Sequence, residues 1–251
     1  MTTALSGTDR IIAALDTVRD PELDEPITSL GFVTSCTVSG DGAVTVRLRL
    51  PTYFCAPNFA FLMVADAYDA VSALDGVRTT EIVLEDHFAA AAINDGVAAH
   101  AGFVRSFRGE AVAELDELRR NFLRKAVFAN TNVVCQPLLT AGVTPAALTG
   151  MTLGDVTASP ALQRLRRRRA DLGLDIGDDA PLLIDPTTGS RVAAADVALH
   201  LRKARTTQVG IDANTSICHG MLQHRYPERI DGRLAARAAT VTNRDDTEEA
   251  R

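Results

Sequence analysis

The chain has 251 residues, 46% of them apolar and 23% charged, with a formal net charge of −6. That usage is ordinary for a folded protein and excludes a wholly disordered chain or a coiled-coil rod. An acidic balance with pI near 5.4 gives no electrostatic footprint for nucleic acid or an acidic membrane, and no apolar run approaches the roughly 18 residues that a membrane helix needs. The first ten residues, MTTALSGTDR, lack a basic stretch followed by an apolar one, so a cytoplasmic protein is expected, with no nucleic-acid and no membrane partner. The four cysteines, Cys36, Cys55, Cys135 and Cys218, show no Cys-x-x-Cys spacing. In a cytosolic chain this argues against a disulfide framework and against a locally written zinc ribbon.

Taken in chain order, the first element is a helix that Thr8 can cap, with Ile11, Ile12, Leu15 and Val18 on one face; Asp20-Pro21 should stop it near Arg19. Residues 20–31, with two prolines, four acidic residues and a closing Gly31, read as an irregular loop. A strand over 32–38, the turn Gly40-Asp41-Gly42, and the alternation of Val44, Val46, Leu48 and Leu50 with polar neighbours predict a β-hairpin with one buried face. Pro51 ends it. The loop Thr52-Tyr53-Phe54-Cys55-Ala56 then leads through Pro57, suited to a first helical turn, into a helix over 58–74, and a third strand follows over 77–84.

The order αββαβ implies a two-layer sandwich, because a strand, a helix and a following strand in one sheet need a crossover that lays the helix on one face. Beyond His87 the composition turns helical: 88–106 with Gly96 and Gly102 as interruptions, 110–127, a start at Thr144-Pro145, a helix from Ser159-Pro160 through Leu172, a turn at 185–189, and a helix over 192–205. The expected fold class is therefore α+β: an αββαβ domain over 1–88, a mostly α-helical second domain over 89–227, and a tail over 228–251 whose charged end predicts no fixed structure.

Cys55 is the sharpest single residue. It leaves a strand and enters a helix, where unpaired N–H groups and the helix dipole favour an anion such as a thiolate, which could bind iron or a cluster. A small buried apolar thiol is the competing explanation. Asp20, Glu22, Asp24 and Glu25 offer hard oxygen ligands or a solvated loop. Glu85-Asp86-His87 closes the third strand with three potential ligands or with a polar terminus. Cys135, and Cys218 with His219, would make a soft-metal set if they met in space, and are buried thiols with a capping histidine otherwise. Arg164, Arg166, Arg167, Arg168 and Arg169 read as a solvated helix face or a patch for an acidic partner. No GxGxxG, GxxxxGK[ST], HExxH or GxSxG pattern occurs, so no catalytic residue is assigned and an enzyme is not expected.

The string Asp20-Pro21-Glu22-Leu23, then Ile27 and Leu30-Gly31-Phe32-Val33, then a hairpin, then a threonine-containing loop with Cys55 before Pro57, resembles the metal–sulfur cluster assembly family, which includes the PaaD-like and SufT-like proteins. The resemblance implies an accessory factor that helps assemble iron–sulfur clusters or mature iron-dependent proteins. It also implies iron or an iron–sulfur cluster as the group handled, Cys55 as the reactive cysteine, and Asp20 and Glu22 as its acidic motif; His87, at the strand end, is a candidate second ligand beside them. One departure is that Ala56 separates Cys55 from Pro57. The longer form, with PTYFCAPNFAFLM, LEDHF and an appended helical part, is similar to actinobacterial proteins that accompany binuclear-iron monooxygenases. This implies a client metalloprotein such as a di-iron hydroxylase, recognised by the helical half. A homodimer is compatible with this reading. The alternative is a metal-free scaffold, chaperone or regulatory subunit of an oxygenase complex.

Overall fold

A computed structural model describes residues 7–227. Two compact units make up the chain: the first from residues 7–20, 25–112 and 221–227, the second from 21–24 and 113–220. The expected tail over 228–251 lies outside the described residues.

The first unit has the α+β organisation that the alternation predicts. Helix α1 (Gly7–Leu15) buries Ile11 and Leu15. It ends earlier than the expected Arg19, because Thr17 and Val18 donate to Ala14 and Leu15 in a tightened last turn and the Thr17 hydroxyl takes the Ala14 carbonyl as well. Strands β1 (Val33–Val38) and β2 (Ala43–Arg49) form the hairpin, and β3 (Thr79–Glu85) lies parallel to β2, giving the order β1-β2-β3. Between β2 and β3 runs α2 (Pro57–Ser72), which starts at Pro57. Val44, Val46 and Leu48 on β2 and Ile82 and Leu84 on β3 are buried with Ala60, Val64, Ala67 and Val71 of α2. On the opposite face Arg47 and Arg49 pair with Glu85 at 2.6 and 3.0 Å. Gly42 is required at the hairpin turn, since its φ is +86° and a Cβ there would come within 2.5 Å of the Gly76 carbonyl.

Helix α3 (Ala90–Ala98) protects the β3 edge: Asn94 accepts from the Leu84 N–H at 2.9 Å and donates to the Leu84 carbonyl at 3.1 Å. Gly96 does not interrupt this helix, contrary to expectation. It lies inside it because α4 (Phe103–Ser106) comes so near that a Cβ at Gly96 would stand 2.7 Å from Ser106 Cβ. Gly102 does separate the two helices, at φ +74°.

The second unit is helical: α5 (Asp116–Thr140), α6 (Pro145–Leu148), α7 (Pro160–Asp171) and α8 (Val197–Arg225), the last turn of α8 belonging to the first unit. Thr144 and Ser159 cap α6 and α7 as their cap-then-proline patterns predict. Val127, Val134, Cys135, Leu148, Leu165, Leu182 and Val197 are among the residues of its core. The arginine run is only in part a solvated face: Arg167 is exposed and Arg164 half-buried, but the other three are engaged. Arg169 is fully buried and donates to the Pro181 and Leu182 carbonyls at 2.9 and 2.6 Å, Arg168 pairs with Asp24 at 2.8 Å, and Arg166 pairs with Asp178 at 2.6 Å. Arg166, Arg168 and Arg169 are thus held by partners within the second unit. α8 also outruns the helix expected over 192–205, and α5 begins at Asp116 and continues through Pro137.

Candidate functional site

The site is built where two loops leave the same end of parallel neighbours β2 and β3. Leu50 is buried at the end of the hairpin, Pro51 cannot continue the ladder, and the chain turns through residues 52–56 into α2. Cys55 is half-buried in that turn, with its Sγ 3.3 Å from the Thr52 hydroxyl. Thr52 Oγ1 also accepts from the Phe54 N–H at 3.2 Å, so one side chain holds both the turn and the thiol.

His87 fixes this loop from the second one. Its Nδ1 accepts from the Ala89 N–H at 3.1 Å, which leaves the proton on Nε2, and Nε2 donates to the Cys55 carbonyl at 2.7 Å. The ring is 5% exposed and stacks on Phe88 with centroids 4.9 Å apart. Burial is the main cause that pushes the imidazole below its ordinary pKa; the bond to the Cys55 carbonyl opposes this and the charge of Arg225 adds to it. Both ring nitrogens are engaged by backbone groups, so coordination of a metal by His87 would have to break one of these bonds. The Phe88 N–H donates to the Tyr53 carbonyl at 3.1 Å, tying the loops a second time.

Around the thiol the loops present aromatics to solvent. Tyr53, Phe54 and Phe88 are 43%, 76% and 50% exposed, and their ring centroids lie 5.0 to 6.3 Å apart. Three packed and exposed rings on tied loops form a preorganised apolar surface of the kind that meets partners. The adjacent letters YFC and HF carried this signal, since such rings would have no reason to crowd a turn otherwise. Arg225 and Tyr226 gave no signal in the sequence. Arg225 donates to the Leu50 and Asp86 carbonyls at 3.3 and 2.8 Å, and the Tyr226 hydroxyl donates to the Asp86 carboxylate at 2.7 Å.

The remaining expected residues are dispersed. Asp20 is buried in the first unit, where its N–H donates to the Glu25 carbonyl. Glu22 falls in the second unit, 3.4 Å from the Asn214 amide that donates to it. Asp24, also in the second unit, receives both Arg168 and the Asn130 amide, the latter at 2.9 Å, and holds a φ of +53°. Cys135 is fully buried in the α5 core, and burial pushes its thiol up to about 12 against the nearby Arg169 charge. Cys218 is half-buried and His219 exposed on α8. Burial pushes the Cys36 thiol on β1 up to about 11. Among the described residues no group of three or more His, Cys, Asp or Glu side chains is placed to hold a metal ion, so Cys135, Cys218 and His219 do not assemble as a set. Among the same residues no helix is long and apolar enough to cross a membrane.

Known proteins bear on this end of the sheet. Residues 8–83 match the family described as iron-sulfur cluster assembly protein. An uncharacterized protein of Methanocaldococcus jannaschii is 31% identical over 85 residues, which is 34% of this chain and 87% of that relative. No solved structure matches the chain. The matched span holds the sheet, α2 and the Cys55 loop, and through it the chain belongs to the iron–sulfur cluster assembly protein family.

Proposed function

We propose that the protein is a maturation factor in which Cys55 carries iron or an iron–sulfur cluster in transit to a client metalloprotein. The observation that carries this reading is a half-buried thiol on a loop fixed by His87, with Tyr53, Phe54 and Phe88 exposed on the same two loops. Iron is well served by thiolate sulfur. A single protein thiolate leaves the other positions on iron to a donor or acceptor, which suits hand-over better than storage. The cargo is thus a substrate that passes through, and the exposed rings are the surface over which the client's own ligands approach.

The client is a metalloprotein; a binuclear-iron hydroxylase is the class to which the resemblance of the longer form points. In this reading the helical residues beyond the sheet recognise that client, the protein acts in the cytoplasm, and it performs no catalysis of its own. The test is transfer. Protein loaded with ferrous iron and sulfide without oxygen is mixed with an apo-ferredoxin and, separately, with an apo binuclear-iron hydroxylase. Delivery by the native chain that is lost in Cys55→Ser supports the reading, and the acceptor that responds tells cluster transfer from iron transfer. Metal that is never taken up leaves the metal-free scaffold, and metal that transfers equally from Cys55→Ser removes Cys55 as its carrier.

A further inference from the structure

The last turn of α8 belongs to the first unit, and its contacts there are not those of a chain merely passing by. Leu222 is buried, and a Cβ at Gly31 would touch its Cδ2 at 3.5 Å. Three residues on, the Arg225 guanidinium donates to the Leu50 carbonyl at 3.3 Å and to the Asp86 carbonyl at 2.8 Å, and pairs with the Asp86 carboxylate at 2.6 Å. Leu50 is the root of the loop that carries Thr52, Tyr53, Phe54 and Cys55; Asp86 is the root of the loop that carries His87 and Phe88. One planar fork therefore closes both roots at once, a task to which a guanidinium with its fixed donors is suited and an ammonium is not.

Asp86 is the focus of these contacts. It holds a φ of +54°, a conformation that L residues other than asparagine and aspartate rarely adopt. Its side chain takes the Tyr226 hydroxyl at 2.7 Å as well as Arg225, while Arg49 lies over the Tyr226 ring at 5.2 Å. An exposed ion pair alone would contribute little. Here the Arg225 side chain is only 20% exposed and two of its partners are backbone carbonyls, so its donors fix main chain rather than another mobile side chain.

We infer that Arg225 is a positioning residue for Cys55: by joining the roots of the two loops it sets how far the thiol and the aromatic surface open. Tyr226 supports it through Asp86. The functional meaning of this clamp rests on the reading of Cys55 as the working thiol, but the clamp itself is separable from metal binding.

The experiment follows the alkylation of Cys55 by iodoacetamide in the full chain, resolved from the other three cysteines by peptide mass mapping, with hydrogen exchange of residues 52–56 and 86–89 read in parallel. Arg225→Ala should speed Cys55 alkylation and the exchange of both loops by about tenfold, as expected for local opening without global unfolding, while Cys135, fully buried in the core of the second unit, stays slow. Arg225→Lys, able to reach one carbonyl at a time, should fall between, and Tyr226→Phe should show a smaller rise. Unchanged Cys55 alkylation in Arg225→Ala overturns the inference. So does equal acceleration at all four cysteines, or a lysine variant no better than alanine. Because no metal enters the measurement, an intact clamp in a protein whose iron content is indifferent to Cys55→Ser would refute the carrier reading while leaving the clamp standing.

Discussion

His87→Ala removes three things that the structure assigns to one ring: the bond to the Cys55 carbonyl at 2.7 Å, the bond from the Ala89 N–H at 3.1 Å, and the stack on Phe88. Each hydrogen bond contributes on the order of 1 kcal/mol net, and the missing ring adds a similar amount or more through lost packing, so the loss should total about 2–4 kcal/mol. For a chain of this size that corresponds to a fall of roughly 5–15 °C in melting temperature. His87→Gln keeps an amide donor and should recover part of it.

The same ring predicts a direction with pH. Burial holds His87 below its ordinary pKa, so the folded state favours the neutral imidazole. Its contribution is therefore fully present above the unfolded value near 6.5 and is lost as pH falls through the folded value. The structural cause is direct: protonation puts a second N–H on Nδ1, which faces the Ala89 N–H and can no longer accept from it. Thermal melts from pH 8 to 5, with the imidazole tautomer read by nitrogen-15 NMR, check both statements. A neutral ring protonated on Nδ1, or a His87→Ala variant as stable as the native protein at pH 8, would overturn the role given to His87.

Other expectations follow from single positions. Arg169→Ala should cost about 3–5 kcal/mol in urea unfolding of the second unit because the Pro181 and Leu182 carbonyls lose a buried donor, whereas Arg169→Met, which fills the space without the charge, should cost less. Gly96→Ala should destabilise by about 1–3 kcal/mol through its collision with Ser106, and the double variant Gly96→Ala/Ser106→Gly should regain most of that in the same unfolding assay. His200 is buried beside Phe128, with Asp185 as its attractive neighbour and Lys203 and Arg169 as repulsive ones, and burial is the chief cause that lowers its pKa. Its neutral form should add a second acid-labile contribution, lost as pH falls through its folded pKa and removed by His200→Phe in the same melts.

Much of the first unit is legible in the sequence because its burial follows simple periods. The Val44-Val46-Leu48 alternation gives the hairpin strand, and Pro57 marks the start of α2 within a residue. The placement of Cys55 follows from those two boundaries. The helical half is harder to read because polar side chains are satisfied inside it. Thr131 and Asn130 of α5 are buried yet bond back to the Val127 and Ala126 carbonyls of their own helix, so the apolar stripe that periodicity needs is broken. α8 runs with most of its side chains exposed and its hydrophobic pattern correspondingly weak, which hides its length. The acidic motif shows a different limit: Asp20 and Glu22 are two residues apart in sequence but fall in different units, and no local pattern encodes that division. Arg225 and Tyr226 reach Asp86 across some 140 positions, 139 and 140 respectively, a separation at which sequence spacing carries no geometric information.

In the proposed function Cys55 holds metal in transit. Its most direct test is the iron and acid-labile sulfide content per chain, with the visible spectrum, of protein purified without oxygen, compared among the native chain, Cys55→Ser and Cys36→Ser. Iron is expected in the native chain and in Cys36→Ser and is lost in Cys55→Ser, while the metal-free forms of native and Cys55→Ser protein melt together. Equal metal in all three, or none in any after reconstitution with ferrous iron and sulfide, would contradict it.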